Sequence, residues 1–69
     1  MIIYLIKIQG TEKIPDYIQI RDKDFNLIAY FRMNNPKRAL TQCNLHNKME
    51  EILRTVEKLT YGKIQKMEL

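Results

Sequence analysis

Between Ile2 and Ile8 the only charged side chain is Lys7. Residues 2–9 are dense in Ile, Tyr and Leu, the residue types that suit a pleated strand. In a strand, successive side chains point to opposite faces. Ile2, Tyr4, Ile6 and Ile8 then share one side, and Ile3 and Leu5 share the other. A strand apolar on both faces asks for cover on both, at least at its beginning. The chain must therefore build a sheet around this run and supply layers against it.

Gly10 ends the run, and residues 10–16, with Pro15, read as a connection. Residues 17–33 read as a β-hairpin. Tyr17 to Arg21 form one arm and Asn26 to Arg32 the other, joined by Asp22-Lys23-Asp24-Phe25. A loop centred on Lys23-Asp24 pairs Ile20 with Leu27, Ile18 with Ala29 and Tyr17 with Tyr30. That register gathers Ile18, Ile20, Leu27, Ala29 and Phe31 on one face.

Asn34-Asn35-Pro36 reads as a helix opening, proline being favoured in the first turn. Leu40 and Cys43 lie on a different side from Leu45, Met49, Ile52, Leu53, Val56 and Leu59. Those last six fall within about 120° of a helical wheel. Asn47 and Glu50 have capping-box spacing. A break near 43–47 therefore divides a short helix from a long amphipathic one, whose stripe, Leu53 included, should be buried. Gly62 reads as a C-cap. After it, Ile64 and Met67 keep the helical phase, so residues 62–69 are either a helix extension or a short fourth strand.

The expected architecture is a single α+β domain over residues 1–69. Residues 1–33 form an antiparallel sheet in the order β-β-β-α. The helical region spans 36–61 and packs on one face.

A chain of 69 residues buries only about 60% of its unfolded surface, so its core is thin. Disulfides, a metal or oligomerisation supplement such cores. With one cysteine, Cys43, no intrachain disulfide forms, and an unpaired thiol suits a cytoplasmic setting. The first strand lacks the basic leader and cleavage site of a signal peptide and is far short of the roughly 20 apolar residues of a membrane span. No membrane partner is expected. Self-association, a homodimer, is the expected supplement.

Chemistry-bearing patterns are weak. Asp22-x-Asp24-x-Asn26 opens like a calcium loop, but Leu27 stands where the glycine belongs and Met33 where the bidentate Glu belongs. A hairpin turn explains the same residues. Cys43 and His46 give two soft ligands, short of a tetrahedral set, and no third group orients them for nucleophilic catalysis. Glu50 with Arg54 reads as an ion-paired helix face. With only Gly10 and Gly62, there is no phosphate-cradling glycine loop. No cofactor, no metal and no enzymatic activity are expected.

Twelve Lys and Arg against eight Asp and Glu give a net charge of +4. The excess leans to the C-terminal half, which permits an anionic partner without requiring one. The informative constellation is the second face of the hairpin, with Tyr17, Gln19, Arg21, Ile28, Tyr30 and Arg32. Ile3, Leu5 and Lys7 are expected to join it. Tyrosine, arginine and aliphatic side chains together have the composition of a protein interface. They also resemble in kind the platforms on which single-stranded bases stack. The first reading is a homodimeric interaction module. The second is a nucleic-acid-binding protein that uses this face or the helix start at Lys37 and Arg38.

Overall fold

A computed structural model describes residues 1–69. Strands β1 (Ile2–Ile8), β2 (Tyr17–Arg21) and β3 (Leu27–Arg32) are followed by helix α1 (Lys37–Gln42). A single 3₁₀ turn (His46–Lys48) leads into helix α2 (Met49–Lys58), and strand β4 (Ile64–Glu68) completes the chain. The four strands form one antiparallel sheet in the order β3-β2-β1-β4. The fold is α+β, and residues 64–68 are strand, not helix extension. No helix is long and apolar enough to cross a membrane.

The helix break falls where the loss of phase put it, and its cause is local. Asn44 takes the left-handed conformation (φ 63°). The Leu45 N–H donates to the Leu40 carbonyl (2.7 Å) and the Asn44 N–H to Thr41 (3.2 Å). These two bonds, with the apolar contact that accompanies them, make a Schellman termination. Leu40 and Leu45 are both in the core, which explains why they stand out of phase with α2. The capping box at Asn47 does not form, since a 3₁₀ turn leads into α2 without a side-chain cap.

Gly62 does not cap α2, which ends four residues earlier. It takes φ 75° at the third position of a turn closed by Lys63 N–H to the Thr60 carbonyl (3.2 Å), a place that needs a left-handed residue. That turn reverses the chain into β4 and prevents the helical phase of Ile64 and Met67 from being realised.

The hairpin register differs from the expected one by two residues. Tyr17 pairs with Arg32, Ile18 with Phe31, Gln19 with Tyr30 and Ile20 with Ala29. The loop is longer than its composition suggested, because Asp22 organises it. Its Oδ1 accepts the N–H groups of Asp24 and Asn26, both at 2.9 Å. A two-residue shift preserves the faces. An irregularity then intervenes, pairing Arg21 with Leu27 and leaving Ile28 unpaired. This bulge re-aims two side chains. Leu27 shares the face of Arg21 and is exposed, whereas Ile28 packs against the core.

The core lies between the helices and one sheet face. Ile3, Leu5, Ile18, Ile20, Leu40, Ile52 and Val56 are completely buried, with Ala29, Phe31 and Leu45 nearly so. In β1 the register sets the faces, since Leu5 pairs with Ile20. Ile3 and Leu5 therefore face the helices, not the Tyr/Arg side. Of the α2 stripe, Ile52 and Val56 are the anchors. Met49 and Leu59 pack against the core half-buried, while Leu53 is half-buried outside it.

Candidate interaction surface

Both helices sit on one side, so the other face of the sheet is uncovered. The registers place Ile2, Tyr4, Ile6 and Ile8 of β1 there, beside Tyr17, Gln19 and Arg21 of β2. Tyr30 and Arg32 extend it on β3, and Ile64, Lys66 and Glu68 on β4. The row Tyr30, Gln19, Ile6, Ile64 crosses all four strands. Ile64 is 57% exposed and Tyr30 50%. Of the expected residues, Tyr17, Arg21, Tyr30 and Arg32 share this face. Ile28 does not, because of the bulge.

The aromatic groups on the face contact one another. Tyr17 and Tyr30 stack with centroids 4.9 Å apart and planes 17° from parallel. The hairpin loop folds back over the other end of the face. Phe25, with φ 65°, meets Tyr4 edge-on at 5.8 Å. Arg21 lies 4.7 Å from the centre of the Phe25 ring. Its guanidinium donates to Gln19 Oε1 (3.1 Å) and to the Phe25 carbonyl (3.0 Å), leaving Nε buried without a partner. Arg21 is thus engaged within the hairpin, against the Phe25 ring.

Lys7 also leaves the expected face. It is only 8% exposed, and its Nζ donates to the Val56 carbonyl (3.3 Å) in the last turn of α2, which also accepts the Leu59 N–H (3.1 Å). The ammonium stands 5.0 Å from the centre of the Tyr61 ring. The Tyr61 hydroxyl donates to Asp16 Oδ2 (2.6 Å), and the Gly10 N–H donates to Asp16 Oδ1 (2.8 Å). The Tyr61 bond, then the Gly10 bond, holds the Asp16 carboxyl below its ordinary range. The same Asp16 bond pushes the Tyr61 hydroxyl up. A Cβ on Gly10 would run into the Ile14 carbonyl oxygen, so the glycine permits this close crossing.

The helix-start residues lie apart from the centre of the face. Arg38 joins Tyr30 and Arg32 around an open cleft of about 230 Å³ between β3 and α1, with Asn35 and Gln42 on its walls. Lys37 does not line it. A larger groove of about 560 Å³ between the end of α2 and β4 includes none of the expected residues. Cys43 is half-buried and its thiol leans on the Leu40 carbonyl (3.6 Å), while His46 is exposed. No three His, Cys, Asp or Glu side chains gather as a metal-binding group.

Sequence pattern alone missed the β1 side of the face and Phe25. The signal for Phe25 was its place in a polar turn, where an aromatic side chain has no local reason to be. Comparison with protein-family models, with curated proteins and with solved structures gives no match.

Proposed function

We propose that the chain is a non-enzymatic association module that forms a homodimer through the open sheet face. The observation that carries this reading is the apolar set Ile6, Ile8 and Ile64 opposite the helices, with Ile8 and Ile64 exposed and Ile6 half-buried. An apolar patch of this extent on one protomer is the usual mark of an interaction site. Ile3, Leu5 and Ile28, expected on the open face, pack toward the core, and the apolar residues of that face come from the opposite side of β1.

A second copy fits the size of the face. One strand of seven residues and three of five or six, about 4.8 Å apart, span roughly 19 by 19 Å. Two such faces give ~700 Å² before side-chain relief is counted, which is the scale of weak, transient contacts. The dimer is therefore a reversible one. The β1 row is apolar, β2 sets Gln19 and Arg21 beside it, and Arg32, Lys66 and Glu68 lie on the outer strands, so each copy brings both signs of charge to the rim. Isologous pairing of one patch with itself is the commonest oligomer geometry.

Light scattering across a concentration series tests the reading. The wild type should approach dimer mass at about 100 μM, a working concentration for weak contacts. Ile6→Glu should be a folded monomer there. A wild type that stays monomeric at that concentration overturns the proposal.

A further inference from the structure

Two of the four arginines are engaged within the fold. Arg21 bonds Gln19 and the Phe25 carbonyl, and Arg54 pairs with Glu50 at 2.7 Å. Arg32 and Arg38 make no hydrogen bond or ion pair, and they converge from β3 and α1 on one cleft. Asn35 and Gln42 add side-chain amides that are also without partners, and half-exposed Tyr30 forms one wall.

The charged side chains that line the cleft, Arg32 and Arg38, are both cationic. From Phe25 to Met49 the chain carries Arg32, Lys37, Arg38 and Lys48 and no Asp or Glu. A field of that kind concentrates anions. The strand edge adds backbone donors. The Met33 N–H bonds the Asp16 carbonyl, which fixes the ladder's alternation, so the amides of Tyr30 and Arg32 point away from β2 to the free edge.

We infer that this cleft binds the phosphates of single-stranded nucleic acid, with Arg32 and Arg38 on the backbone and Tyr30 presenting its ring to a base. Arginine's fork matches phosphate oxygens in two-point contacts. At about 230 Å³ and open on its outer side, the cleft is below the usual range for an engulfed small ligand but suits a strand passing through. A solvent-facing tyrosine beside two free guanidinium groups is the combination that unpaired bases and their phosphates use. The cleft is at the sheet's outer strand, where Tyr30 and Arg32 also form the rim of the dimer face, so the bound strand and the second copy meet at that edge.

The test is fluorescence anisotropy with labelled oligo-dT on wild type, Arg32→Gln, Arg38→Gln and their double variant. Lys58→Gln, on α2, is the control for diffuse charge. Two single-strand phosphate contacts should weaken wild-type binding about sevenfold between 50 and 200 mM salt. The double variant should lose roughly 1.4 from the log–log salt slope, and each single variant about half of that. Arg38→Lys, which keeps the charge but not the fork, should fall between wild type and Arg38→Gln. Circular dichroism should report an unchanged fold for these exposed positions. Several outcomes would overturn the proposal: no binding at 50 mM salt, or a Lys58→Gln loss equal to that of the arginine variants. Tighter binding of duplex than of oligo-dT, or displacement by equimolar inorganic phosphate, would also do so.

Discussion

The Tyr61 hydroxyl donates to Asp16 Oδ2 at 2.6 Å across 45 positions of sequence, tying the turn before β4 to the segment before β2. Each partner shifts the other's proton affinity, and the two shifts set opposite pH limits. Asp16 titrates below its ordinary 3.8 in the folded state. Its contribution is therefore complete above that value and lost as pH falls through the lowered one. Tyr61 titrates above its ordinary 10.0, so its contribution is complete below that value and lost as pH rises through the raised one. Asp22, lowered chiefly by the Asn26 amide, adds to the acid limb. Stability should be flat with respect to these groups between the two limits and fall at both ends. Tyr61→Phe should remove the alkaline fall and shrink the acid one, because the Gly10 bond remains. Thermal unfolding across pH checks this, and matching wild-type and Tyr61→Phe profiles at both ends would contradict it.

Helix α2 is anchored by Ile52 and Val56, not by Leu53. Ile52→Ala should cost about 2–5 kcal/mol, as a fully buried aliphatic does. Leu53→Ala should cost about 1 kcal/mol, nearer a partly exposed position. Urea denaturation gives both values, and the reverse order would show a different packing face.

At Asn44 the backbone is left-handed, where glycine has no steric penalty and asparagine only a modest one. Asn44→Gly should hold or raise stability by up to about 1 kcal/mol. Asn44→Val should lower it by roughly 1–2 kcal/mol, the cost of a side chain with a branched Cβ in that region. Similar melting temperatures for the two variants would mean that the Schellman turn does not govern the break.

Mass action gives an independent check on the dimer. If folding and association are linked, the wild-type melting temperature should rise with protein concentration. Ile6→Glu should melt at one temperature throughout. A concentration-independent wild type would count against the sheet-face dimer.

The sheet, the helix break and the sharing of one face by Tyr17, Arg21, Tyr30 and Arg32 were legible in the sequence, because periods of 2 and 3.6 are strong local signals. Three things were not. The Asp22 side chain lengthens the hairpin loop through bonds that composition does not announce. One bulged residue exchanges the faces of Leu27 and Ile28, and nothing local marks it. The faces of β1 are decided by its partner strand, since both its parities are apolar and either could be the core. Arg21 shows the limit at the site: its residue type suggested a free cation, but Phe25, four positions on, covers it.

Strand β1 is paired on one side by the hairpin and on the other by β4, with Leu69 N–H on the Met1 carbonyl at 2.8 Å. Closing a loop of some sixty residues costs about 1.6 kcal/mol more entropy than closing one of ten. The β1–β4 ladder should therefore be among the last contacts to form. Until it does, the run Ile2-Ile3-Tyr4-Leu5-Ile6 offers a bare edge of unpaired amides, a template for cross-β growth between chains. A nascent or clipped chain without residues 64–68 should aggregate rather than remain a smaller folded sheet.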